Sequence, residues 1–191
     1  MRTVARLLVS LMFAPLALAL GAQARTDARI DALKAELARS IDGRAKLAQQ
    51  MVDQVFSFGE LGMQETETSK YLAGVLEQNG FTVERGVAGI PTAWVAKWGS
   101  GSPVISLGSD IDGIPQANQK PGTAVRDPLV RSAPGHGEGH NSGMPLNIIA
   151  ALAVKDIMSR EKMPGTMRRL DLCARWLCQP ELRRTEGRHA G

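Results

Sequence analysis

The stretch from Leu107 to Asn147, LGSDIDGIPQANQKPGTAVRDPLVRSAPGHGEGHNSGMPLN, limits what this chain can fold into more than any other. It follows a β-branched run, Val104-Ile-Ser, and passes two acids one residue apart, Asp110 and Asp112. A crossing rich in Gly and Pro comes next. Then His136, Glu138 and His140 appear, each separated from the next by a single glycine, ahead of a helical pattern. Carboxylates and imidazoles gathered where a strand ends and a helix begins are what a divalent-metal site needs, and the glycines let the backbone fold tightly around an ion.

The segments around this stretch predict an α/β domain. Ile30, Leu33 and Leu37 fall at helical steps after a capping Asp27, and Leu47, Met51, Val52 and Val55 follow Gly43, giving two helices or one broken at Asp42-Gly43. The turn Phe58-Gly-Glu-Leu-Gly-Met-Gln-Glu65 leads through a capping Thr66 or Thr68 to a helix over Ser69 to Gln78, closed by Asn79-Gly80. Glu60 and Glu65 could face a polar cleft, but glutamates beside a helix start are more often solvated partners of its dipole. Three β-type runs follow, Phe81 to Arg85, Thr92 to Trp98 and Pro103 to Leu107. The Gly99-Ser-Gly101 spacing suits a hairpin between the last two, and VISLGSD reads as a buried central strand. From Asn141 to Glu161 a helix capped by Asn141 or Ser142 turns Ile148, Ile149, Leu152, Ile157 and Met158 inward. The fold class is therefore α/β, a mixed sheet flanked by helices, which the motifs quoted below extend, by resemblance, to a partial three-layer domain truncated before completion.

Charge and address narrow the function classes. Residues 1–24 combine Arg2 and Arg6, an apolar run from Leu7 to Leu20 and the small-x-small site Ala22-Gln-Ala24. That is the pattern of a secretory signal peptide, too short to span a membrane, and it predicts a periplasmic or secreted protein with no stable membrane span after cleavage. Residues 25–167 carry 15 basic and 16 acidic side chains, whereas residues 168–191 carry 6 and 3. The basic excess thus sits at the two ends, and a nucleic-acid partner, which would want a basic stripe on the body, is not expected. Both cysteines, Cys173 and Cys178, lie in the last 24 residues, too close to each other for a disulfide to staple anything large.

SDIDGIP followed by PGHGEGHNSGMPLNIIAALAVKDIM resembles the zinc-dependent amidohydrolases of the aminoacylase and glutamate-carboxypeptidase family, in the branch similar to aminobenzoyl-glutamate hydrolase. FGELGMQE resembles the loop before that branch's second helix, and the likeness covers residues 43–167. By that resemblance Asp112 matches an aspartate that orients a metal ligand, and His140 matches a metal-binding histidine. Asp110 stands where many relatives place a histidine ligand and this branch commonly an acid. Glu138 stands where the nearest aminoacylase-like relatives place a cysteine ligand. A carboxylate there is a harder donor, so zinc is the first expectation and manganese the alternative. His136 matches a supporting position that does not ligate. The activity implied is metal-assisted hydrolysis of the amide of an N-acyl or aminobenzoyl amino acid or small peptide, with a homodimer compatible with the intact protein.

The resemblance also implies a general-base glutamate, in a Glu-Glu pair one strand beyond Met163, and no such pair occurs. Residues 168–191 instead hold six arginines and no lysine, against eight and seven in residues 25–167. A shifted reading frame in a GC-rich gene would give so abrupt a change. The alternative is a native helix with Leu170, Cys173 and Leu177 on one face. The sequence thus reads as a signal peptide over 1–24, part of a catalytic domain over 25–167 and a divergent tail over 168–191, inactive alone. A non-catalytic metal- or ligand-binding module and a product that misfolds are the competing readings.

Overall fold

The computed structural model describes residues 27–171. The leader and the chain beyond residue 171, with both cysteines, lie outside the described residues. The chain divides into two compact units, Met1–Asp42 and Gly43–Gly191. In the first, helix α1 spans residues 27–42 and carries an exposed Asp31–Lys34 pair 3.6 Å apart. No helix among the described residues is long and apolar enough to cross a membrane.

The second unit opens with helix α2 (Ala45–Phe58), whose Met51 and Val55 are fully buried. It stops at Gly59, which takes a φ of 55°. A side chain there would be strained by that φ and would also meet the Pro134 carbonyl oxygen at 3.0 Å. Helix α3 (Thr66–Gln78) buries Leu72, Ala73, Val75 and Leu76. Its cap differs from the one expected at Thr66 or Thr68. The Glu60 carboxylate accepts the backbone N–H of Glu67 at 2.9 Å and of Thr68 at 2.8 Å, so an acid from the preceding turn satisfies two orphan donors and complements the dipole. Glu65 is not solvated either. It is fully buried and accepts a 2.8 Å hydrogen bond from Thr92 Oγ1.

The sheet contains β1 (Thr82–Arg85), β2 (Trp94–Ser100), β3 (Val104–Ser109) and β4 (Gly165–Asp171), with helix α4 (His140–Glu161) between β3 and β4. Its order is β1-β2-β4-β3. β2 pairs antiparallel with β1 and β4, whereas β3 pairs parallel with β4, so the sheet is mixed. The hairpin expected across Gly99-Ser-Gly101 does not form. The β3–α4–β4 crossover returns β4 alongside β3, and β4 then also takes the edge of β2 over seven paired positions from Trp94 to Ser100. Among the described strands VISLGSD is consequently at an edge, with Val104 59% and Ile105 56% exposed, and β2 and β4 are the interior strands. β4 continues through residues 168–171, so Leu170, which the helical alternative put on a helix face, lies in a strand.

One face of the sheet is covered. Trp94, Ala96 and Met167 point into a single core with Met51, Val55, Leu72, Leu76, Ile111, Met144 and Ile148. Each fully buried Leu, Ile or Met side chain of that core contributes about 2 kcal/mol. The opposite face shows Thr82, Glu84, Lys97 and Arg168 exposed. The sheet's covered face and its helices therefore set a rigid frame at whose rim β3 runs into Asp110 and Asp112.

Candidate metal centre

Main-chain bonds bring three distant segments to the end of β3. Gly113 N donates to the Glu60 carbonyl at 2.6 Å, which fastens the Phe58–Glu65 turn to the strand end. Ile114 and Gly135 exchange two bonds, at 2.9 and 3.1 Å, and so close the base of the excursion over residues 115–134. Both glycines are needed for this approach. A Cβ on Gly135 would lie 2.7 Å from Ala117 and Asn118 backbone atoms, and one on Gly113 would lie 3.0 Å from the Gly135 oxygen. Inside the excursion, Asn118 Oδ1 accepts Val130 N–H at 2.8 Å and Lys120 pairs with Asp127 at 2.7 Å. The chain therefore returns to its starting point just before His136, Glu138 and His140.

Helix α4 starts at His140, after Gly139 at a φ of 98°. The cap expected from Asn141 or Ser142 is not made. Ser142 instead donates its N–H and its hydroxyl to the Gly139 carbonyl, at 2.9 and 2.8 Å. A Cβ on Gly143 would come within 2.7 Å of Ser109 Oγ, so the first turn presses directly on the end of β3. This contact sets His140 over the two aspartates.

His140 Nδ1 lies 3.0 Å from Asp112 Oδ1 and 3.1 Å from the Asp112 carbonyl oxygen. Both partners accept, so Nδ1 carries a proton and Nε2 is the ring nitrogen left to face Asp110. Nε2 lies 3.9 Å from Asp110 Oδ2. Glu138 Oε1 approaches the other nitrogen, Nδ1, at 3.5 Å. The His140, Asp110 and Asp112 side chains are about a quarter to a fifth exposed, and that of Glu138 is 44% exposed. Three carboxylates around one imidazole concentrate negative charge, which a cation offsets.

The donors fit a divalent cation in kind. In number they fall short, because among the described residues no three His, Cys, Asp or Glu side chains are gathered closely enough to hold a metal ion. Asp110 and His140 Nε2 form the facing pair, Glu138 stands beside them, and Asp112 holds the ring. His136 is directed elsewhere. Its Nε2 donates to the Val55 carbonyl in the last turn of α2 at 3.1 Å, and its Nδ1 is buried without a partner among the described residues. Burial holds its pKa below the ordinary histidine value, with the Val55 bond acting in the opposite direction. Sequence reasoning assigned Glu60 to the start of α3 but missed that its carbonyl anchors Gly113, and it missed Ser109, which Gly143 accommodates. Only the glycines at positions 59, 113, 135 and 143 signalled these close approaches in the sequence.

No protein-family profile matches the chain. Over 138 residues it is 34% identical to one of the subunits of p-aminobenzoyl-glutamate hydrolase from Escherichia coli K12, a match that takes in 72% of this chain and 27% of that protein. Two solved structures share the fold. One is described as an aminohydrolase from methicillin-resistant Staphylococcus aureus, with a TM-score of 0.61 and 17% identity over 74% of this chain and 35% of that one. The other is a dinuclear metal-binding peptidase of the M20 family from Bacillus subtilis, with a TM-score of 0.53 and 24% identity over 74% of this chain and 36% of that one. The chain spans 27% of the length of the curated relative it matches.

Proposed function

We propose that residues 43–171, a partial domain of the M20 amidohydrolase type, supply the cation-binding corner of a metal-dependent hydrolase. Its substrate would be the amide bond of an N-acyl or aminobenzoyl amino acid or a small peptide, the class suggested by the name of the E. coli relative. The observation that supports this best is the His140 ring, held through Nδ1 by Asp112 with Nε2 turned toward Asp110. Asp110 and His140 Nε2 would supply two of the ion's ligands, with Glu138 the nearest further carboxylate. A bound divalent cation would polarise the scissile carbonyl and lower the pKa of a water.

The remaining work falls to the protein's own groups. Asp112 fixes the His140 tautomer and ring plane, and the Ile114–Gly135 clamp keeps Glu138 and His140 at the strand end. Zinc suits the imidazole, and the oxygen donors Asp110 and Glu138 make manganese the alternative. The sequence after Asp171 contains no Glu-Glu pair to act as general base, so the reading includes negligible hydrolysis by this chain alone. The leader read in residues 1–24 goes with an exported protein, and amino-terminal sequencing of the mature chain tests it.

The experiment is thermal unfolding of the full chain with and without zinc or manganese. A ligand that binds only the folded state raises its stability, so the midpoint should climb with metal concentration and the rise should vanish in His140→Ala. Indifference of the wild-type midpoint to both metals would sink the reading. In parallel, p-aminobenzoyl-glutamate should remain uncleaved, and ordinary turnover by the purified chain would overturn the proposed inactivity.

A further inference from the structure

Asn79-Gly80 closes α3, and nowhere else in the sequence does a glycine follow an asparagine. With no side chain on the next residue, the main-chain nitrogen of Gly80 can reach the Asn79 side-chain carbonyl carbon with the least obstruction. In the folded chain both groups are occupied. Gly80, at a φ of 82°, donates its N–H to the Glu77 carbonyl at 2.9 Å, and Phe81 donates to the Leu76 carbonyl at 3.1 Å. These are the two nested bonds of a glycine-closed helix end, completed by the buried side chains of Phe81 and Leu76. The half-buried Asn79 amide donates to the Val75 carbonyl at 2.8 Å. Beyond the closure, the bidentate bond from Arg85 to Glu77 ties the last turn of α3 to β1.

We propose that Asn79 is a self-modification site, locked in the native fold and released when the carboxyl-terminal end of α3 opens. Once the closure opens, the Gly80 nitrogen attacks the Asn79 side-chain carbonyl carbon. A carbon–nitrogen bond forms, the proton of the Gly80 N–H ends on the departing side-chain nitrogen, and that nitrogen leaves as ammonia. Water then opens the cyclic imide at either of its carbonyls, which gives an aspartyl or an isoaspartyl residue. Only water enters the balance.

Either product spoils the closure that protected the asparagine. An aspartyl carboxylate cannot donate to the Val75 carbonyl, and it sets a negative charge at the negative end of the α3 dipole. An isoaspartyl linkage lengthens the main chain inside the ring that the Phe81–Leu76 bond closes, so Gly80 and Phe81 no longer reach their acceptors together. Lys155 Nζ would lie 3.8 Å from a Cβ on Gly80, and its charge offsets part of the first effect and none of the second. The reaction therefore loosens α3 from β1 in any molecule that has once undergone it. It needs no metal and stands apart from the proposed hydrolytic role.

The test is incubation of the full chain at mildly alkaline pH, folded and in denaturing urea, followed by peptide mapping with mass spectrometry. Asn79 should convert more than about tenfold faster in urea than in the folded chain, because the closure must open first. Asn118, Asn141 and Asn147, each followed by a larger residue, are internal references and should lag behind Asn79 in urea. Phe81→Leu, which weakens the apolar part of the closure, should quicken conversion in the folded chain about fivefold. If that variant fails to fold, Arg85→Gln at the exposed clamp decides, with a rise of about twofold. Asn79→Asp, which makes the aspartyl product directly, should lower the thermal midpoint. Equal rates in the folded and unfolded chain, an Asn79 no faster than the other asparagines in urea, folded-state rates indifferent to the closure variants, or a wild-type midpoint in Asn79→Asp would each overturn the proposal.

Discussion

Two groups of acids in this fold are made of the same residue types and do opposite things. Glu60 and Glu65, flanking the turn before α3, are consumed by the protein, one by two backbone N–H groups and the other by Thr92 in a fully buried position. Asp110, Asp112 and Glu138 instead gather around a single imidazole, that of His140. The difference is one of supply. A helix start offers free N–H groups, whereas the end of β3 has spent its backbone on β4 and leaves carboxylates at the rim. Acids of the first kind hold the fold together, and those of the second kind are the ones that the proposed function assigns to a cation.

Substitutions sharpen this contrast, and the largest effect is expected at Glu65. Glu65→Ala opens a cavity and strands the buried Thr92 hydroxyl, for a loss of about 3 kcal/mol in urea unfolding. A loss under about 1 kcal/mol would show that Glu65 is not the structural acid its burial indicates. Glu60→Ala comes next, at about 1–2 kcal/mol, because two N–H groups at the start of α3 lose their acceptor. Glu60→Gln should recover part of that, since an amide oxygen still caps but carries no charge for the dipole.

The sequence showed the elements better than it showed their neighbours. The break at Asp42-Gly43, the closure of α3 at Gly80 and the inward stripe of α4 are written in local spacing and were legible. The strand order was not, because the hairpin signal at Gly99-Ser-Gly101 is local while the strand that displaces it comes from Gly165 onward. VISLGSD reads as a central strand on composition, yet composition cannot say which strand lies alongside. Within the site, the sequence singled out Asp110, Asp112, Glu138 and His140, and the structure brings these four together. Which nitrogen each would face depends on α4 pressing against Ser109, a contact no spacing encodes. Glu60 does serve the helix start as its position suggested, whereas Glu65 was misread because burial and a distant Thr92 set its role.

Asp112→Asn is expected to do the reverse of Glu65→Ala. Without metal its unfolding free energy should stay within about 0.5 kcal/mol of wild type, because an amide still accepts from His140 and one of several clustered negative charges is gone. With metal, its midpoint shift should fall well short of wild type, since a weaker acceptor holds the ring less firmly and makes it a poorer donor. A variant that loses stability yet keeps the full metal shift would place Asp112 among the structural acids and break the contrast.

The smallest effect belongs to Glu77, an exposed acid that the fold uses without burying it. Its bidentate bond to Arg85 holds its carboxyl below the ordinary glutamate range, the hydrogen bond being the main cause and the attraction of the guanidinium adding to it. Since the folded form gives up its proton more readily than the unfolded chain, the unfolded state binds more protons as pH falls past about 4.3. The pair's contribution is therefore complete above that value and is lost as pH drops through the lower, folded one. Thermal midpoints of wild type and Glu77→Gln should differ slightly at neutral pH and converge on acidification, with the difference also shrinking in high salt, as screening of two half-exposed groups requires. If the gap instead widened in acid, Glu77 would be favouring the protonated form, and the Arg85 clamp could not be what ties α3 to β1.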